Sequence, residues 1–489
     1  MAASRFLERW IPAHERISRQ SRVGFALFAG LCLVCIGAAV ATRFYVLAVL
    51  PVLLLVVGQA VTDFRPLFYL LLFCIPLSTE VTVPGGLATD LPTEPLMVGL
   101  MLAYFAYLAR HWPQMEGRFF LHPVSLLLFA HLGWILLTTV TSEMLPISIK
   151  FSLAKVWYIV TFFLLAGHLV RRPADIRRFF WLVFLPLLFV VVTALLRHAA
   201  YGFSFADQYK TMSPFMRNHV SYSCLITLFL PWLIYARTWY AAGSWRRRLI
   251  TGAVPVFLLG SYFSYTRAGY IALILAAGVY LAVRWQLVRP LLALGLAAAV
   301  LGSVYIVREN RYLEFAPNYE TTVAHDQFNN LISATYKLED ISTMERVYRW
   351  VAAGHMIPVR PWLGWGPGNF VNFYKGYTVT SFQTYVSDNP ENSGIHSYFL
   401  LMLVEQGLPG LVFFVLLLGG AFVLGERAYH RQPDPEYRAV LLTTLCSLAV
   451  IASFLLINDM IETDKVGSFF FLYLAFLINF GRVGERQQG

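Results

Sequence analysis

The feature that most constrains this chain is a series of uninterrupted apolar runs, each close to the ~20 residues needed to carry a helix across a ~30 Å hydrocarbon layer. Fourteen such runs follow one another, near 23–41, 43–60, 65–78, 95–109, 121–140, 152–170, 178–196, 220–236, 249–265, 268–283, 290–307, 397–425, 438–457 and 466–481. The run at 65–78 is short and the pair around Arg43 is weakly separated, so twelve to fourteen spans are expected, an even number that puts both termini on one side. Composition agrees: 58% of the residues are apolar and 13% charged, against roughly 45–50% and about 25% in soluble domains. The expected class is an all-α polytopic membrane protein, with 1–307 as an N-terminal transmembrane bundle, 308–395 as a polar loop domain and 396–489 as C-terminal transmembrane helices.

Charge then sets orientation. Lys and Arg number 38 against 27 Asp and Glu, a net +11. No long polybasic tail accounts for that balance, so nucleic acid is not expected as a partner. Arg171, Arg172, Arg177, Arg178 and Arg246 to Arg248 crowd the segments on the side of the N-terminus, while the opposite short loops carry only scattered cations such as Arg43, Lys150 and Lys465. By the positive-inside rule both termini are cytoplasmic and 308–395 faces out. The Arg-rich start (Arg5, Arg9, Arg16, Arg19, Arg22) before an apolar stretch without a small-residue cleavage site reads as a retained signal anchor. All five cysteines lie inside apolar runs, and Cys32-x-x-Cys35 reads as lipid-facing filler rather than a redox pair.

Within 308–395, Ser342-Thr343-Met344-Glu345 has the form of a capping box that opens a helix toward Ile357. The run Leu363-Gly364-Trp365-Gly366-Pro367-Gly368-Asn369-Phe370 demands a tight turn. Charged groups close to the membrane are costly and therefore functional candidates. Arg267 sits in a gap of a few residues between two spans, a position that equally suits a headgroup anchor. Arg346 and Arg349 are three apart on one face of the expected helix, where two planar guanidinium forks suit a diphosphate, or else pair with Glu345 or Asp340 on a solvated face. His396, expected in the first turn of the span that follows, would be kept neutral by the helix N-terminus and so able to accept a proton near pH 7. His198, His219, His325 and His355 are the competing histidines, and none sits at the point of membrane re-entry. Asp388 and Glu391 lie just upstream of His396 as supporting acids. No metal-ligand spacing, nucleophile elbow or Walker loop occurs, and Glu462-Thr463-Asp464 reads as loop capping rather than as a metal site.

Taken in order, Thr266-Arg267-Ala268-Gly269, the segment Ser342 to Trp350, the turn at 363–370, Ile395-His396-Ser397-Tyr398-Phe399-Leu400 and Glu405-Gln406-Gly407-Leu408-Pro409-Gly410 resemble the O-antigen ligase and polymerase superfamily of bacterial inner-membrane glycosyltransferases. The resemblance covers about Arg217 to Gly410. It implies a GT-C-like fold, an active site at the periplasmic face, a metal-independent reaction without cofactor, and transfer of a glycan from undecaprenyl diphosphate. It also implies that Arg267, Arg346 and Arg349 hold the diphosphate, with Arg217 as a looser match, and that His396 is the base for the acceptor hydroxyl. Within the superfamily the ligase joining O-antigen to lipid A-core leads over the polymerase and the protein O-oligosaccharyltransferase, because three spans follow the long loop and no large C-terminal domain does. A flippase for a lipid-linked glycan is the alternative from another class, disfavoured by the lack of visible repeats.

Overall fold

The structure is a computed structural model that describes residues 19–42, 51, 58, 63–83, 87–114, 116–317, 322, 340–390 and 392–482. The expected span at 43–60 lies almost wholly outside the described residues, as do Glu391 and His325. The chain divides into two units after Phe68. In the first, α1 (Arg19–Thr42) carries the apolar run that contains Cys32 and Cys35, both free thiols. The helix α2 (Arg65–Cys74) crosses the division.

The second unit continues with a short antiparallel hairpin, β1 (Thr79–Val83) and β2 (Leu87–Leu91), in which Glu80 faces Asp90. Helices follow for the rest of the chain: α3 (Thr93–His111), α4 (Pro123–Val140), α5 (Leu145–Leu169), α6 (Pro173–Ala200), α7 (His219–Ala236), α8 (Trp245–Tyr262), α9 (Arg267–Arg284), α10 (Val288–Val307), α11 (Ile341–Met356), α12 (Tyr398–Arg431), α13 (Pro435–Leu455) and α14 (Asp464–Gly481). Among the described residues nine helices are long and apolar enough to cross a membrane: α4 to α7, α9, α10 and α12 to α14. The chain is thus an all-α polytopic membrane protein. Nearly every side chain of α14 is buried against α13, α12 and the π-helical stretch Ile159–Leu165 of α5, whereas α10 has almost its whole circumference exposed. An apolar helix with no buried face is stable only where lipid replaces water.

The two glycine-rich motifs explain one another. α12 breaks at Gly407 (φ 68°, ψ −174°), two residues before Pro409, and the break strips helical partners from three successive carbonyls. In lipid such groups have no water to turn to. The 361–366 turn supplies the donors: Trp365 N–H bonds Val404 O at 3.0 Å, Gly366 N–H bonds Glu405 O at 2.9 Å, and Leu408 N–H in return bonds Pro361 O at 2.8 Å. The third carbonyl, Gln406 O, takes the indole N–H of Trp134 on α4 at 2.9 Å. The buried Glu405 carboxylate completes the seam by accepting Gly368 N–H (2.8 Å) and Phe370 N–H (3.0 Å). Gly364, Gly366 and Gly368 all have left-handed φ, which is how one turn aims several N–H groups at a single helix.

A Cβ at Gly407 would strike the Trp362 carbonyl, and the backbone there lies in a region other residues avoid. Gly407→Ala should therefore destabilise the fold by on the order of 1–3 kcal/mol, read as a lower midpoint for loss of the monodisperse peak on heating in detergent. Gly278→Ala, in open space on α9, should leave the midpoint unchanged. Equal midpoints for the two variants would contradict this account of the break.

Candidate functional site

Four helix starts and two loops converge at one end of the second unit. α7 begins at His219, capped by the Asn218 carboxamide, which accepts Ser221 N–H at 2.9 Å. The tight α8–α9 turn is held by Ser264 and by Tyr265 at positive φ, and its Thr266 hydroxyl donates to His219 O at 3.3 Å. Arg267 is therefore the first residue of α9. α11 is capped by Asp340, whose Oδ2 accepts Thr343 N–H (3.0 Å) and Oγ1–H (2.5 Å). The same oxygen accepts Arg267 Nη2 at 3.1 Å, so the cap of one helix also anchors the cation at the start of another. The expected capping box is corrected here. Ser342 lies in the first turn, and Asp340 outcompetes it because a carboxylate already paired with Arg267 is the stronger acceptor.

Glu345, the other half of that box, turns away from the cap. Its Oε2 accepts Arg349 Nη2 at 3.3 Å, and its Oε1 accepts the hydroxyls of Thr384 (2.5 Å) and Ser387 (2.6 Å), all buried. Trp350 donates its indole N–H to Ile395 O at 3.0 Å and so fixes the residue before His396. His396 has φ +57° and precedes Ser397, the cap of α12, rather than sitting in the helix's first turn as the hydropathy suggested. Gly394 allows the Asp459 carboxylate to approach this strap where a Cβ would block it.

Arg267, Arg346, His219, Asp340, Gln208 and Asn458 share a cavity of about 230 Å³. Arg349 and His396 stand within electrostatic reach of Arg346. Burial first, and then the charge of Arg267 opposed by Asp340, pushes the Arg346 guanidinium below its ordinary value. Burial first, and then Arg346 and Arg349, lowers His396 to about 4. The ring is neutral, as the sequence implied, but the cause is desolvation and two neighbouring cations rather than a helix dipole. Asn458 lies beside the ring and favours its protonation, while His396 Nδ1 and Asn458 Nδ2 both lack partners. Arg267 Nη1, Arg349 Nε and Gln208 Oε1 are also buried without partners. Burial raises Asp459, with Glu462 adding to the rise and Arg349 opposing it.

The guanidiniums and unpaired N–H groups at and beside this cavity make a site short of anionic groups. Buried cations and unpaired donors each raise the energy of the empty site, and a bound anion relieves both at once.

Other expected residues lie elsewhere or act differently. Arg217 pairs with the hairpin acids, Glu80 at 2.7 Å and Asp90 at 3.7 Å, and is half-exposed. Asp388 is exposed, and only its backbone oxygen is engaged, by Lys375 at 2.8 Å. Glu462 and Asp464 do not form a two-carboxylate site. Glu462 pairs with buried Lys155 at 2.5 Å, and Asp464 accepts from Ser78 (2.7 Å) and Thr93 (2.9 Å). Asn458 and Asp459 went unmarked in the sequence, although a polar pair ending an apolar run is a signal of the kind that singled out Arg267. His219, set aside among the competing histidines, proves to be a wall of the cavity.

Fold and site together define a multi-pass membrane protein with a cation-walled cavity at the converging ends of its helices. Residues 252–415 match the family model described as O-Antigen ligase. That stretch, which holds Arg267, Arg346, Arg349 and His396, is similar to the O-antigen ligase family. Helices before 252 and beyond 415 lie outside the match. No curated protein matches the chain.

If the guanidinium forks are built for a diphosphate, a point charge will not replace them. Arg267→Lys and Arg346→Lys should weaken binding of inorganic pyrophosphate to the purified protein by roughly tenfold to a hundredfold, nearly as much as Arg→Ala, from the loss of charge-assisted bonds. Titration calorimetry in detergent measures this. Wild-type affinity in the lysine variants would reduce both arginines to structural anchors.

Proposed function

We propose that this protein is an O-antigen ligase that transfers a polysaccharide from undecaprenyl diphosphate to a sugar hydroxyl of lipid A-core, completing lipopolysaccharide. The reading places it in the bacterial inner membrane with both termini cytoplasmic, and it puts the cavity and the 308–395 loop domain at the periplasmic face. Support for that orientation comes from the distribution of arginines along the sequence. The observation that carries the function is a neutral imidazole set beside a buried group of guanidiniums with unused donors.

In the proposed reaction Arg267, Arg346 and Arg349 bind the donor diphosphate and stabilise the charge that grows on it as the glycosidic bond breaks. Guanidiniums fixed in place supply that stabilisation without a divalent ion or a cofactor. His396 takes the proton of the attacking hydroxyl, which makes the acceptor oxygen a competent nucleophile. A base held near 4 is weak at neutral pH. The arriving diphosphate brings negative charge that opposes Arg346 and Arg349, so His396 becomes more basic only when the donor is present. Donor binding thus arms the base. Arg217 serves the hairpin in this account rather than the diphosphate, and neither Asp388 nor Glu391 is required.

Purified protein in nanodiscs with EDTA, undecaprenyl-diphosphate glycan and lipid A-core is expected to yield ligated lipopolysaccharide. His396→Ala should cut turnover by about 10²–10⁴-fold while pyrophosphate binding persists. Chain extension of the donor without use of lipid A-core would make the protein a polymerase, and glycan transport without product would make it a flippase. Near-normal ligation by His396→Ala would remove the base assignment.

A further inference from the structure

Among the polar groups of the cavity that the reaction above does not use, Gln208 stands out as an acceptor. Gln208, at the start of a short helix (Gln208–Met212), is 7% exposed and lines the same cavity as Arg267 and Arg346. Its Oε1 is buried with no hydrogen-bond donor. The residue is not loosely placed: its N–H bonds Phe205 O at 3.4 Å, and its own carbonyl accepts the Thr211 hydroxyl at 2.8 Å. Phe205 and Tyr265 line the cavity beside it as an edge-to-face pair, 5.3 Å between ring centres and 88° apart, with the Tyr265 hydroxyl tied to Phe203 O at 2.7 Å. The cavity, about 230 Å³, has space for roughly eight waters at ~30 Å³ each.

The unpartnered atoms differ in kind. Arg267 Nη1 and Asn458 Nδ2 need acceptors, whereas Gln208 Oε1 needs a donor. A diphosphate offers acceptors only, so the ligand that satisfies all three must carry an O–H or N–H close to its phosphate. Resting on the diphosphate reading above, we infer that Gln208 recognises the first sugar of the lipid-linked donor. Its Oε1 accepts from the hydroxyl or acetamido N–H at C2, while the sugar ring lies against Phe205 and Tyr265. C2 is the carbon next to the anomeric centre that bears the diphosphate, and it is the nearest position able to carry a donor, because the ring oxygen on the other side only accepts. A buried acceptor left empty penalises a sugar that lacks this group, which makes Gln208 a specificity-determining residue.

The test uses full-length protein in nanodiscs and measures binding of farnesyl-diphosphoryl hexoses that carry at C2 an acetamido group, a hydroxyl or hydrogen, with inorganic pyrophosphate as the sugar-free reference. Wild-type protein is expected to bind the acetamido or the hydroxyl sugar about tenfold more tightly than the 2-deoxy sugar. Gln208→Met, similar in shape but without the acceptor, should bind all three alike and hold pyrophosphate as before. Gln208→Glu, which keeps an acceptor oxygen but adds charge beside the diphosphate, should retain the discrimination and weaken every ligand. Equal wild-type binding of the three sugars, or discrimination that survives in Gln208→Met, would overturn the inference while pyrophosphate binding left the diphosphate reading standing. Failure of wild-type protein to bind pyrophosphate would overturn both.

Discussion

At membrane depth a backbone carbonyl without a partner has no water to fall back on, and the organisation of this protein around α12 follows from that. Gly407 and Pro409 break the helix, and the freed carbonyls of Val404, Glu405 and Gln406 are taken by Trp365 N–H, Gly366 N–H and Trp134 Nε1–H. Because two of the donors come from a turn that follows α11, the repair ties α11 to α12. With α11 come Arg346 and Arg349, and at the start of α12 stands His396. Chemistry-bearing residues far apart in sequence are therefore held together by a seam that is itself unreactive. Glu405, 1% exposed, belongs to that seam, which is why a buried carboxylate at this depth is no sign of a catalytic acid.

The second organising term is charge. Arg267 and Arg346 line one cavity with Arg349 near them, and Asp340 pairs with Arg267 while Glu345 pairs with Arg349, each acid also serving as a cap or loop clamp. Asp340 and Glu345 answer three cations, and the third acid nearby, Asp459, has its charged form disfavoured by burial. Burial and then the charges of Arg346 and Arg349 keep the His396 ring neutral, and Arg267 Nη1 and Arg349 Nε are left without partners. In the proposed function an anionic ligand relieves this unfavourable arrangement, which favours binding and raises the basicity of the histidine.

Much of this was legible in the sequence. Apolar runs gave helices in the right places because span length is set by the bilayer and not by tertiary context. Arg267 and His396 stood out because a charge or an imidazole at the end of an apolar run is conspicuous, and Arg346 because it lies three residues from Arg349 on an expected helix. What escaped detection depended on long-range pairing. Nothing local says that Asp340 rather than Ser342 caps α11, since the choice is made by Arg267, 73 residues away. Arg217 is drawn off by a hairpin that hydropathy does not mark. Gln208 and Asn458 are ordinary polar residues in sequence and become notable only when burial leaves them unpartnered.

The central claim is that His396 is held neutral by burial and by the guanidiniums of Arg346 and Arg349, and that a bound anion offsets the second of these. The most direct measurement is its titration by NMR on histidine-labelled protein, assigned with His396→Gln, in the absence and presence of inorganic pyrophosphate. The account predicts a free-protein pKa near 4, far below that of an exposed histidine, and an upward shift when pyrophosphate binds. A free-protein value close to 6.5, unmoved by saturating pyrophosphate, would contradict it.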